Sequence, residues 1–291
     1  MEPWVLLVIG VTIAATLYAA WKQFSFSIVA STICVFTYIV MSVAGQNNWY
    51  AAEYMIAFSP ADLTDPARIY TVLTSMFAHA NLVHLMFNVL GLIFIGMVFE
   101  QRVGPRPFIL LFFLSGLAGT LVFAGIHWND GMFIVLGASG AISGVLGAFA
   151  RLYPKEKLSM FIMFVPLPPL PIWVIVGIFV LIQLLLIPTS SQIAYEAHLG
   201  GLAAGILLAP ALVRHPLSKR VKRAAISLSA LRRLATTPEL KTVLRRIEEE
   251  SLPDVRSAWI EHFVSVARCP HCGTHLKASR GELMCGKGHF L

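Results

Sequence analysis

The sequence predicts an all-α polytopic membrane protein that ends in a small Cys/His-rich module, and three observations carry that prediction. Of 291 residues, 57% are hydrophobic and only 13% charged, and the mean hydropathy is +0.75, whereas soluble domains run nearer a quarter charged. The apolar residues fall into seven runs, at about 4–21, 26–44, 82–99, 107–125, 137–150, 171–187 and 196–213; a spanning helix needs roughly 20 such residues. The charge is also uneven: up to Val213 there are 7 Lys+Arg against 8 Asp+Glu, and from Arg214 onward 15 against 7. The basic character therefore belongs to the tail, where it reads as membrane topology rather than nucleic-acid binding.

Taken in order, the first run, PWVLLVIGVTIAATLYAAW, has no basic residue before it and no small-residue cleavage site, so it is expected to be a retained helix. Cys34, alone in the second run, reads as an inert small hydrophobe. The 37 residues from Gly45 to Asn81 are long for a connection, which favours a functional segment. Trp49 and Tyr50 suit the headgroup level of the outer interface. The run at 137–150 is too short to cross a bilayer by itself. One set of connections carries Lys22, Arg102, Arg106, Arg151, Lys155, Lys157 and the cluster Arg214–Arg223. The other carries Glu53, Asp62, Asp65, Asp130 and Glu196, with Arg68 its one basic residue. The positive-inside rule makes the first set cytoplasmic, which puts the N-terminus outside and the tail in the cytosol.

Polar side chains within the runs converge on one depth. Counting about 1.5 Å per residue from the cytoplasmic ends puts Ser139 and Asn88 about 18 Å up, and His84 and His198 near 24 Å. In a core roughly 30 Å thick, all four occupy the outer half. Polar groups at that depth are costly and usually face a wet cavity or the protein interior. A helix starting at mid-depth adds unpaired N–H donors and a positive dipole end. Ser139 as nucleophile, with His198 as general base, would use those donors for a developing oxyanion. His84 and Asn88, one turn apart, share a face and could add further donors. Other readings stand beside these: Gly137, Gly140, Gly144 and Gly147 with Ser139 and Ser143 also make a small-residue packing face. His198 alone would be a buried, hydrogen-bonded histidine, and His84 with Asn88 an interhelical clamp. No acidic residue within the runs is available to orient the histidine, which favours a Ser–His dyad over a triad.

At these residues the chain resembles the rhomboid family of intramembrane serine proteases, over about residues 26–213. GASG at 137–140 is similar to the family's G-x-S-G and implies that Ser139 is the nucleophile. AHLGG at 197–201 implies His198 as base, with Gly201 allowing close packing on the Ser139 helix. HANLVHLMFN, from His79 to Asn88, implies oxyanion roles for His84 and Asn88, and EQRVG at 100–104 a structural role at the inner end of that helix. The resemblance implies a six-helix core with a water-filled cavity open to the outside, and cleavage of transmembrane helices within the lipid bilayer. Two positions depart from it. Ser143 stands where many members carry an aromatic ring that stacks on the histidine, and Ala67-Arg68 stands for Trp-Arg. The run at 4–21 is additional to the core. The expected domains are an extra helix over 1–25, the core over 26–213, a basic helical linker over 214–265 and a module over 266–291.

In the tail, Thr237-Pro238 reads as a helix start, and PDVRSAWIEHFVSVA as an amphipathic helix with Trp259 and Phe263 on its apolar side. HPLSKRVKR beside the membrane suits an inner-leaflet anchor, or equally a solvated charge run. Cys269 and Cys272 form a C-x2-C knuckle, and Cys285 and His289 follow as C-x3-H. Three thiolates and an imidazole fill a tetrahedral zinc shell with no open position, which makes a zinc ion there structural. Catalysis by the Ser–His pair requires no cofactor. His271 and His275 are alternative donors, although the spacing favours the first set. A reducing cytosol disfavours a disulfide, and some 23 residues have too little core to fold without metal. The module resembles a zinc ribbon. With no aromatic-basic face in view, a protein partner is favoured over nucleic acid. A transporter would need a polar pathway through the cytoplasmic half of the runs, and none is present. A non-catalytic client-binding protein on the same scaffold is the competing class.

Overall fold

A computed structural model of the chain describes residues 1–129, 133–158, 161–162, 165–166, 168–186, 194–213, 227–250, 253–279 and 282–289. Asp130 and the basic run Arg214–Arg223 lie outside the described residues. The chain divides into two compact units, Met1–Leu217 and Ser218–Leu291.

The first unit is a helical bundle whose elements begin and end where the sequence supplies the chemistry. Helix α1, Pro3–Lys22, starts with proline at a position whose N–H has no helical partner anyway, and ends at Gln23 in a left-handed conformation (φ 55°). Helix α2, Phe26–Ala44, follows directly. The long connection folds into α3, Trp49–Ile56, a 3-10 turn at Pro60–Leu63, α4, Thr71–Thr74, and a second 3-10 turn at Ser75–Phe77. Asn48 caps α3 by accepting from the Ala51 N–H, and Asn81 caps α5, Leu82–Gly91, by accepting from the His84 N–H. A π turn at Leu92–Gly96 joins α5 to α6, Met97–Val103, in one continuous rod. Gly104, at φ 85°, then reverses the chain, and Pro105 opens α7, Pro105–Ile126. After it come α8, Ser139–Leu152, two short antiparallel ribbons (157–158 with 170–171, and 161–162 with 165–166), α9, Ile172–Leu186, and α10, Tyr195–Leu212. Among the described residues, five helical rods are long and apolar enough to cross a membrane: Pro3–Lys22, Phe26–Ala44, Leu82–Val103, Pro105–Ile126 and Tyr195–Leu212. Ser139–Leu152 is a shorter apolar helix, about 21 Å long at 1.5 Å per residue.

Two polar clusters hold the ends of this bundle. At one end, Glu100 of α6 caps α2 from outside. Its Oε1 accepts from the Phe26 N–H, and its Oε2 from Ser25 Oγ, Ser27 N–H and Ser27 Oγ at 2.7, 2.9 and 2.7 Å. Nearby, Arg102 pairs with Glu156 at 2.6 Å. At the other end, the connection from Gly45 to Asn81 is organised by buried Asp62. This residue accepts from the Ser59 N–H, Thr71 Oγ1 and Arg68 Nε, the last at 2.6 Å. Arg68 also donates to the Tyr54 carbonyl and stacks its guanidinium over the Tyr54 ring at 4.3 Å. Arg68 keeps this ion pair with alanine, not tryptophan, before it.

The apolar interior is aromatic in one half and glycine-lined in the other. Phe26 meets Phe108, Phe112 and Phe113, and Phe99 stacks near Phe149. Helices α7, α8 and α10 instead pack backbone to backbone. A Cβ placed on Gly201 would overlap the Gly140 carbonyl oxygen, one on Gly205 the Gly144 carbonyl oxygen, and one on Gly147 the Leu202 carbonyl oxygen. Lipid supplies no hydrophobic drive for helix association, so such close approach must come from missing side chains.

The second unit holds, among its described residues, three helices and a two-stranded ribbon. Helices α11, Leu228–Leu234, and α12, Pro238–Glu249, are capped by Ser227 and Thr237, and α13, Pro253–Val266, follows. Leu276–Ser279 pairs antiparallel with Glu282–Cys285. Leu231, Val243, Ile247 and Phe263 share one buried cluster with Cys269, Leu276, Leu283 and Cys285. The described helices of the expected linker therefore supply the core that the cysteine-rich segment lacks by itself. Trp259 sits on the rim of this cluster beneath the Arg246 guanidinium, 4.8 Å from its ring centre.

Candidate functional site

Ser139 is the first residue of α8, after Ala138. The first helical bond runs from the Ile142 N–H to the Ala138 carbonyl, so the N–H groups of Ser139, Gly140 and Ala141 precede it and are the unpaired donors of a helix start. Ser139 Oγ lies 2.7 Å from Nε2 of His198, the fourth residue of α10. The approach to the serine is held by two long-range backbone contacts. Phe58 and Val135 exchange both N–H···O bonds, and the Gly137 N–H donates to the Ser75 carbonyl at 2.8 Å. Gly137 takes φ +117°, a conformation closed to most side chains. A Cβ there would fall 2.7 Å from His84 Nε2 and 3.6 Å from Ser139 Oγ. The glycine thus lets the His84 ring approach the serine.

The structure brings Ser139, His198 and His84 together with Gly137 and Gly140. Asn88 is buried one turn below His84, and its Nδ2 donates to the His84 carbonyl at 2.9 Å, so its amide is turned onto its own helix. His79 is fully buried, with Nδ1 3.2 Å from the Phe77 carbonyl and its ring edge-on to His84 at 5.0 Å. Ser143 presents no ring to His198. Its hydroxyl donates to the Ser139 carbonyl at 2.7 Å.

One residue of the site escaped the sequence reading. Gln183 of α9 is buried, with Oε1 3.0 Å from His198 Nδ1. A search for an acidic partner passes over an amide. The available signal was a single amide side chain in the otherwise apolar IWVIVGIFVLIQLLL, since a polar group in a membrane helix is costly without a partner. Phe179, one turn earlier, lies with its ring 6.3 Å from His198.

In the second unit, Cys269, Cys272, Cys285 and His289 bring one donor atom each to within 4.8 Å of one another. Cys272 Sγ and Cys285 Sγ are 3.6 Å apart, Cys269 Sγ and His289 Nδ1 3.7 Å, and Cys285 Sγ and His289 Nδ1 3.3 Å. Zinc–sulfur bonds of about 2.3 Å in a tetrahedron give edges of about 3.8 Å, so these four donors fit a zinc shell. His271 and His275 are outside the cluster; the His271 ring lies 5.5 Å from that of His289, tilted 60° to it. Desolvation pushes the Cys285 thiol pKa up, but hydrogen bonds from the His289 and Lys287 N–H groups, Cys272 and Thr274 together bring it down to about 6. A thiolate is the form a metal binds.

Comparison with known proteins places the bundle in a family. The Rhomboid domain model matches residues 66–215, just over half of the chain. RHOMBOID-like protein 12, mitochondrial, of Arabidopsis thaliana is 32% identical over 158 residues, covering 48% of this chain and 45% of that protein. Rhomboid protease GluP of Bacillus subtilis (strain 168) is 30% identical over 203 residues, covering 69% of this chain and 37% of its own length. Inactive RHOMBOID-like protein 8 of Arabidopsis thaliana is 36% identical over 117 residues, 38% of this chain and 33% of that protein. The chain spans less than half the length of each of these relatives. With the Rhomboid model covering the chain from Pro66, in the connection after α2, to the end of α10, the chain is an integral membrane protein that belongs to the rhomboid family.

Proposed function

We propose that the chain is an intramembrane serine endopeptidase that cuts transmembrane helices of membrane-protein substrates near their outer end, with Ser139 as nucleophile and His198 as general base. The observation that supports it most is the 2.7 Å contact between Ser139 Oγ and His198 Nε2 at the start of a short helix. In this reading His198 takes the Ser139 proton as Oγ attacks the scissile carbonyl carbon, and returns it to the leaving amine as the tetrahedral intermediate collapses to an acyl-enzyme. Water then resolves the ester with the histidine again as base. The helix-start N–H groups, chiefly that of Ser139, and the His84 ring hold the oxyanion. Asn88 joins them by exchanging its bond to the His84 carbonyl for one to the oxyanion. Gly137 keeps the donors close, and Gly140 and Gly201 set the spacing of α8 and α10. A substrate helix must unwind locally to offer its carbonyl, so small or helix-breaking residues near the cut are expected.

The same proposal covers orientation and partition. The N-terminus faces outside and the tail the cytosol, a reading supported by the charge distribution. The extra helix over 1–25 and the core over 26–213 lie in the membrane. The segment 214–265 links them to the module over 266–291, where Cys269, Cys272, Cys285 and His289 hold a structural zinc ion and a protein partner docks. The ion supplies cross-linking and no catalytic chemistry.

The test uses the purified full chain in liposomes with a fluorophosphonate probe and a single-span reporter carrying Gly/Ala-rich residues near its outer end. Labelling and cleavage by the wild type, both lost in Ser139→Ala and His198→Ala, are expected. A folded wild type that neither labels nor cleaves would favour client binding without chemistry, the class suggested by one relative's being named inactive.

A further inference from the structure

We propose that Gln183 is the positioning residue for the histidine of this site, fixing its tautomer and ring plane through α9 rather than through α8. The inference rests on the protease reading above and deepens it. A glutamine carbonyl oxygen can only accept a hydrogen bond. With Gln183 Oε1 3.0 Å from His198 Nδ1, the shared proton sits on Nδ1. Nε2 is then the ring's free lone pair, and it faces Ser139 Oγ at 2.7 Å. That is the tautomer a general base needs. The opposite tautomer would place an N–H against the serine and leave it no base.

Independent geometry points the same way. Ser143, one turn after the nucleophile, spends its hydroxyl on the Ser139 carbonyl and offers the imidazole no surface. The ring near His198 is that of Phe179 on α9, at 6.3 Å and tilted 41°. Phe179 and Gln183 are four residues apart and share a helix face, so one face of α9 presents both an apolar plane and an acceptor to the histidine. Gln183 is 7% exposed in an otherwise apolar helix, a costly position for an amide with no partner. Its contact with Nδ1 explains why a glutamine stands there.

The assay compares wild type, Gln183→Leu and Gln183→Glu as full chains in liposomes, reading fluorophosphonate labelling rate, kcat and KM on the reporter, and the unfolding midpoint. Gln183→Leu keeps the volume and removes the acceptor. We expect labelling rate and kcat to fall together by roughly 10- to 100-fold, less than the about 10⁴-fold that a wrong tautomer costs a Ser-His-Asp triad. KM should stay within about twofold and the midpoint should be unchanged. Gln183→Glu, which returns an acceptor oxygen to Nδ1, should recover most of that loss. Wild-type rates in Gln183→Leu would overturn the proposal, as would equal losses in both variants or a loss that appears only as a lower midpoint. If the wild type itself fails to label, the protease reading falls and this one falls with it. That outcome is distinct from a wild type that labels beside a Gln183→Leu that labels equally well.

Discussion

Replacing Glu100 by glutamine should damage the fold far more than its isosteric shape suggests. The Glu100 carboxylate accepts from four donors: two backbone N–H groups at the start of α2, which can only donate, and the hydroxyls of Ser25 and Ser27. It is 4% exposed. In either orientation a glutamine amide must point its NH2 at one of the two backbone N–H groups. Its better orientation keeps the oxygen where Oε2 now accepts three bonds and turns NH2 against the Phe26 N–H. A buried donor left without an acceptor costs about 1–3 kcal/mol. The three remaining bonds lose their charge assistance, which roughly halves each, and α2 loses a negative group at its N-terminus, worth about 0.3–1 kcal/mol. With charged hydrogen bonds worth about 1.5–3 kcal/mol each, the sum is about 4–8 kcal/mol. For a domain of this size about 2–4 °C accompanies each kcal/mol, so the unfolding midpoint should drop by roughly 10–30 °C. The control is Glu156→Gln, which breaks a partly exposed pair with Arg102 worth about 1 kcal/mol or less. Near-ultraviolet circular dichroism in detergent reads both. A Glu100→Gln midpoint no lower than that of Glu156→Gln would refute the capping argument.

Two further outcomes follow from the glycine packing and the Cys/His cluster. Gly205→Ala forces a methyl onto the Gly144 carbonyl oxygen and should cost at least the about 1–3 kcal/mol of an overpacked core. Gly177→Ala, with nothing within 4 Å of the new methyl, should be neutral or stabilising by up to about 1 kcal/mol; equal midpoints for the two would sink the glycine argument. The full chain should carry one zinc per molecule by elemental analysis. Chelation or Cys285→Ser should remove it and render the 227–289 region protease-sensitive while the membrane unit stays intact. A chelated tail that resists the protease would make zinc dispensable, leaving its shared helix core sufficient.

What the sequence determined by itself is what short stretches of chain encode. Apolar runs of spanning length set the helices, because every backbone group in lipid must be bonded within its own segment. The capping residues Asn48, Asn81, Ser227 and Thr237 act on N–H groups only three residues away. GASG, AHLGG and the Cys/His spacing likewise put Ser139, His198 and the four clustered Cys/His donors in view. The tertiary structure alone decided the partners that come from distant segments. It is 15 residues from Gln183 to His198 and 73 to 75 from Glu100 to the start of α2. Gly205 meets Gly144 across two helices, and the tail helices fill the core beneath the cysteine hairpin. Periodicity and motif spacing tell which face of a helix is polar or small. Which other helix that face meets is set by close packing of the whole bundle, and there the Gln183 amide meets a histidine for which the sequence offered no acid.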